Sequence, residues 1–281
     1  MPIYSDKEVL KMKLSSIPVS QLREFANEYS NIDSSGTGAD IIKKLLNTSI
    51  NGNFVNSFIK KKYIECIIER QDLISDEDLK QELKNVKNFS WGVVQGQLDQ
   101  KIQSEYVRKY VRYNELIHNV ELQLHSKVTN YVVCTWFNHW TTVLIEEHIS
   151  KHKNVIPTLK SIKGVDIFFN GQPFDLKITY LPKSYDPIYA MENPQELAIW
   201  LYENQGAQRF GYDNRLFVVL FNKDDLSMSW ALKREFELIF NKIDSFFNEE
   251  TVTTEDEVVF KFDKKTYTAV SKILFVTNRD K

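Results

Sequence analysis

Apolar residues recur at helical spacing through the first half of the chain and at strand spacing through much of the second. Leu22, Phe25 and Ala26 share one face of a 3.6-residue period. The stretch Asp33-Ser34-Ser35-Gly36-Thr37-Gly38 interrupts that period and residues 39–46 resume it, which predicts helix, turn, helix. Helical patterning continues from about residue 54 to residue 148, with breaks near Gln71-Asp72-Leu73 and around Trp91-Gly92. At Pro157 the texture changes. Residues 165–169 and 174–179 are β-type runs on either side of Asn170-Gly171, a strong hairpin-turn signal, so two adjacent antiparallel strands are predicted. A helix over residues 195–205, an apolar strand over 216–221, a helix over 230–247 and strands over 258–262 and 273–276 follow. The predicted class is α/β (α+β): a helical N-terminal half, then a mixed β-sheet core flanked by helices.

Composition narrows the class further. With 281 residues, 42% hydrophobic and 26% charged, the chain can bury a sizeable core, which argues against a disordered or disulfide-scaffold protein. No stretch approaches the length of a membrane span, and the start MPIYSDKEVLKMK lacks the apolar core of a signal peptide. The two cysteines, Cys66 and Cys134, have no CxxC spacing; a reducing, cytoplasmic location is expected. A net charge of −2 excludes a protein that simply coats nucleic acid, but the middle third is its most basic part, so phosphate contact would be local. All five histidines fall there: His118, His125, His139, His148 and His152. His139 and His148 are not spaced as an i, i+4 ligand pair, and no zinc site is predicted from them. No GxxxxGK[ST] loop occurs, so no NTPase motor is expected.

The sharpest chemical feature is Gly164-Val165-Asp166 followed across the hairpin by Asp175-Leu176-Lys177. Asp166 on one strand and Asp175 on the returning one can approach each other, and Asp175 and Lys177, two apart, project from one strand face. Their neighbours Ile167, Phe168, Phe174, Leu176 and Ile178 are apolar. Charges in such a strand need partners or a metal. Two carboxylates suit Mg²⁺, with Mn²⁺ as a substitute, and a lysine beside them can orient a water for phosphodiester hydrolysis. The same residues also fit an ordinary hairpin in which Asp175 and Lys177 form an ion pair and Asp166 caps a turn.

These residues resemble the PD-(D/E)xK nuclease superfamily, with Asp166 at the first acidic position and Asp175-Leu176-Lys177 as the (D/E)xK element; Val165 stands where the motif nominally has proline. The resemblance covers about residues 130–280 and includes the helix of residues 135–147, on which it implies an accessory metal-binding Glu, Glu146 first and Glu147 second. It implies a restriction-endonuclease-like core in which Asp166, Asp175 and Glu146 hold the metal and Lys177 serves the attacking water. Residues 17–46 resemble the SAP module, through Pro18 to Phe25, Ile32, Gly36, Gly38 and Ala39 to Leu46. That resemblance implies phosphate contact by Lys43 and Lys44, although the lysine often found where Gly38 stands is missing.

Other candidate DNA contacts are Gln95 and Gln97, then Lys101, Arg108 and Arg112, which fall near one face if the segment is helical, with Lys109 beside them. A plain solvated face, with Glu105 and Glu115 as partners, fits those basic residues equally, and the stripe Tyr106, Tyr110, Tyr113 reads first as core. Lys160 and Lys163 precede Asp166 and would lie beside a scissile phosphate; a plain loop role fits them equally. The expected organisation is a SAP-like module over residues 1–50, a helical, possibly DNA-gripping region over 51–125 and a catalytic domain over 126–281. The expected function is a Mg²⁺-dependent, type II restriction-like endonuclease acting on double-stranded DNA, with a possible cognate methyltransferase for the same site. One active site per chain favours a homodimer. A structure-selective repair nuclease, or a catalytically inactive DNA-binding protein of the same fold, are the alternatives.

Overall fold

The computed structural model describes residues 3–29, 32–48, 50–89, 100, 102–205 and 211–278. The chain divides into two compact units, one of Met1–Leu73 with Ile145–Lys281 and one of Ile74–Leu144. No helix among the described residues is long and apolar enough to cross a membrane.

The larger unit opens with α1 (Asp6–Ser15), α2 (Val19–Tyr29), α3 (Gly38–Asn47) and α4 (Gly52–Leu73). Leu22, Phe25 and Ala26 are buried, as their spacing predicts. At the start of α3 the Thr37 hydroxyl accepts from the Asp40 N–H and Asp40 accepts from the Thr37 N–H, a reciprocal cap that sets where the helix begins. The four helices do not close a core by themselves. Leu14, Ile17, Phe25, Ile41 and Phe58 pack in one cluster with Ile156, Val165 and Phe168 of the sheet.

That sheet has six strands in the order β1-β2-β3-β4-β6-β5: β1 (Val155–Ile162), β2 (Val165–Phe169), β3 (Gln172–Tyr180), β4 (Arg215–Phe221), β5 (Glu257–Phe262) and β6 (Lys265–Thr277). The pairs β1/β2, β2/β3 and β5/β6 are antiparallel, whereas β3/β4 and β4/β6 are parallel. Every residue of β4 is buried, as a central strand covered on both faces requires. Between β3 and β4 lie α8 (Pro187–Glu192) and α9 (Pro194–Glu203); α9 packs on β5 and β6, closing a second core around Leu197, Tyr202, Phe217, Phe221 and Phe260. Between β4 and β5 lie α10 (Ser229–Leu232) and α11 (Phe236–Glu249). The single helix expected over residues 230–247 is therefore two, broken at Lys233, Arg234 and Glu235.

The smaller unit holds α5 (Asp76–Leu83), a π-helical turn at Gln103–Val107, α6 (Tyr113–Asn119), a second π turn at Val120–Leu124, and most of α7 (His125–Ser150). Phe89 meets Phe137 edge-on there, 5.9 Å between ring centroids, and Lys127 pairs with Glu105 at 2.8 Å. The end of α7, from Ile145 onward, belongs to the larger unit.

Candidate active site

The β2–β3 hairpin places the acidic residues. Asn170 and Gly171 both take positive φ, 46° and 77°, as a tight turn matched to strand twist requires. Ile167 then pairs with Phe174, which sets Asp166 and Asp175 one step beyond, where the strands part. Asp166 Oδ2 accepts the Leu176 N–H at 2.8 Å. Asp175 and Lys177 share a face, with Lys177 Nζ 2.5 Å from Asp175 Oδ1. Directly across on β4, Arg215 reaches the other oxygen, Nε to Oδ2 at 3.1 Å, and its guanidinium lies 4.9 Å from the centre of the Tyr202 ring. Arg215 is buried and Lys177 nearly half exposed, so the two cations on Asp175 differ: one is a fixed support, the other is free to move. Ahead of the hairpin, Gly164 has φ +72°, and a Cβ there would fall 2.2 Å from the Asp213 carboxyl carbon, so the tight entry into β2 requires glycine.

Glu146 arrives from α7. Burial, and after it the negative charge of Asp166, pushes its carboxyl up to about 7, while Lys233 and Lys177 pull the other way. Lys233, in the break between α10 and α11, is buried and brought down to about 8 by desolvation, with Glu146 opposing that fall. Asp166 is also raised, first by desolvation and, among the charges, by Asp175, although the Leu176 N–H favours its ionised form. Its side chain still meets solvent, through a cavity of about 300 Å³ that it shares with Glu146, Tyr63, Ser150, Thr158 and Lys160.

Three carboxylates, two of them raised chiefly by burial, are hard oxygen donors. The set fits Mg²⁺ or Mn²⁺: a divalent cation would favour the ionised forms of Glu146 and Asp166, which burial first and mutual repulsion second disfavour. Glu147, the second candidate for the accessory ligand, is taken up elsewhere. Arg70 of α4 grips it with both a 3.0 Å Nε–Oε1 bond and an Nη2–Oε2 bond, and both side chains are nearly buried.

The raised Glu146 carboxyl makes a stability prediction. Its folded value exceeds its unfolded one, so between about pH 4.5 and 7 the native state binds the extra proton and stability falls as pH rises. Metal-free protein is expected to lose on the order of 2 kcal/mol across that window, and Glu146→Gln to flatten the fall. Thermal unfolding at stepped pH in a chelator checks both. An equal slope in the variant would show that Glu146 is not the group responsible.

No protein-family model matches the sequence, and comparison with curated proteins and with solved structures returned no match. The site therefore rests on its own geometry.

The expected DNA contacts are scattered. Lys43 is exposed on α3, but Lys44 is used inside its own turn, 2.6 Å from Asp33 and bonded to the Ser35 carbonyl, and it holds the Asp33 carboxyl well below the usual carboxylate range. Lys160 lies exposed on β1, its N–H donated to the Ser16 carbonyl, and Lys163 is exposed in the turn before Gly164. Gln95, Gln97 and Lys101 lie outside the described residues. Arg108, Lys109 and Arg112 are exposed in the smaller unit, but no continuous helix joins them: the π turn ends at Val107 and α6 begins at Tyr113. The tyrosine stripe dissolves for the same reason, with Tyr106 buried and Tyr113 exposed. Sequence reasoning passed over Tyr63, Ser150, Arg215 and Lys233. Only Arg215, a cation opening an otherwise apolar strand, carried a local signal.

Proposed function

We propose that the chain is a divalent-cation-dependent endonuclease of the PD-(D/E)xK, restriction-like type, hydrolysing phosphodiester bonds of double-stranded DNA. The observation that carries this reading is the grouping of Glu146, Asp166, Asp175 and Lys177 about the open end of one hairpin, three of them carboxylates and two of those with raised pKa. Asp166, Asp175 and Glu146 would hold Mg²⁺, which supplies Lewis acidity toward a phosphate oxygen. Arg215 fixes Asp175 Oδ2 and leaves Oδ1 as the oxygen that Lys177 can release. The Lys177 ammonium then orients the attacking water and offsets the charge that builds on the phosphate. Lys233 limits the repulsion among the carboxylates from the buried side.

The test is incubation of the purified chain with mixed plasmid and phage DNA, in Mg²⁺ or in EDTA. Discrete fragments in Mg²⁺ and none in EDTA are the expected result. Retention of DNA in a gel shift with no cleavage in Mg²⁺ or Mn²⁺ would sink the reading and leave a binding protein whose Asp175–Lys177 contact is an ordinary ion pair.

A further inference from the structure

His148 lies in the last turn of α7 and His152 one turn further on, and both aim Nε2 at the same atom: Oδ1 of Asp244 on α11, at 2.7 and 3.0 Å. Among the described residues this is the one trio of His, Cys, Asp or Glu whose ligand atoms all lie within 4.8 Å of one another. The rings are held in place. His148 lies flat on Phe240, centroids 3.9 Å apart and planes within 1°, and His152 stacks on Phe247 at 5.2 Å. Asp244 is about half exposed and leaves one side of the trio open to water. Lys60, which donates to the His152 carbonyl at 2.8 Å, fixes the backbone there.

We propose that His148, His152 and Asp244 bind a divalent transition-metal cation, zinc by preference, at a site separate from the three carboxylates. Two imidazole nitrogens and one carboxylate oxygen are a borderline-soft set that suits Zn²⁺ and discriminates against Mg²⁺, which takes oxygen ligands. The ligand atoms now stand at hydrogen-bond separations. A tetrahedral zinc with bonds of about 2.0 Å spaces its ligands roughly 3.3 Å apart, so a movement of a few tenths of an ångström by the exposed Asp244 opens the site. Water takes the remaining position. The ion would tie the end of α7 to α11, and with it Glu146, two residues from His148 on the same helix.

The experiment titrates metal-stripped full-length protein with Co²⁺ and then Zn²⁺, reading visible absorption and thermal unfolding. Expected are one equivalent of Co²⁺ with the intense bands of four-coordinate cobalt, their displacement by Zn²⁺ but not by excess Mg²⁺, and a higher unfolding temperature with Zn²⁺. Loss of the bands in His152→Gln and in Asp244→Asn supports the site. The second of these keeps an acceptor for a ring N–H and so preserves the fold. Glu146→Gln combined with Asp166→Asn is expected to bind Co²⁺ unchanged, which separates this proposal from the nuclease reading. The proposal is overturned by a wild type with no cobalt bands and no zinc-dependent stabilisation, by bands that survive His152→Gln or Asp244→Asn, or by bands lost with the Glu146/Asp166 pair.

Discussion

Lys177→Met is expected to lose DNA cleavage by a factor of about 10³ while unfolding at the wild-type temperature. The two halves of that result have different causes. Lys177 is nearly half exposed and its ammonium pairs only with Asp175 Oδ1, an arrangement worth about 0–1 kcal/mol to stability. When it goes, Asp175 keeps Arg215, so no buried charge is stranded. Its charge also favours the ionised forms of Glu146 and Asp166, but the larger demand on it comes where charge develops on the phosphate, so its loss appears chiefly in the rate of the chemical step. Asp166→Asn should resemble it, because the amide oxygen can still accept the Leu176 N–H. Asp175→Ala is the contrasting case: it strands Arg215, buried against Tyr202, and adds a stability loss of about 3–5 kcal/mol to the loss of cleavage. Single-turnover cleavage in Mg²⁺, read beside a thermal melt of each variant, separates the three. Wild-type cleavage by Lys177→Met would mean that the lysine is a strand-face ion pair, and the placing of the catalytic site on the Asp175-Leu176-Lys177 element would fall with it.

The hairpin and its charges were legible because their signals are local. Asn170-Gly171 sets the turn, the alternation of Phe174, Leu176 and Ile178 sets the faces, and two-residue spacing puts Asp175 beside Lys177. What escaped sequence reasoning depends on distant partners or on weak patterns. Strand β1 is not predicted, because it is an edge strand that carries Pro157 as its third residue and runs on through Thr158, Lys160 and Ser161, polar residues that an edge strand tolerates. The break at Lys233 hides inside a continuous helical period, and one charge that favours a buried lysine there, Glu146, lies 87 positions earlier in the chain. The face that Arg108 and Arg112 were to share required a helix through both, but residues 108–112 lie between the π turn that ends at Val107 and the helix that begins at Tyr113. Nor could spacing choose between Glu146 and Glu147. Adjacent helical positions differ by about 100° of rotation, and the deciding partner of Glu147 is Arg70.

Arg70→Ala is accordingly expected to be strongly destabilising, at about 3–5 kcal/mol, which for a chain of this size lowers the unfolding temperature by roughly 10 °C. The side chains of Arg70 and Glu147 are 11% and 10% exposed, so truncating the arginine leaves a carboxylate nearly out of water with its bidentate partner gone. Replacing both partners, Arg70→Met with Glu147→Leu, should recover most of the stability, because no charge then remains to be buried. Cleavage separates packing from positioning. Glu147 anchors the turn of α7 that aims its neighbour Glu146 into the cavity, so the double variant should fold as well as the wild type and yet cleave more slowly, with an increased Mg²⁺ requirement. Wild-type cleavage and Mg²⁺ dependence in the stable double variant would show that Glu146 holds its place without the ion pair.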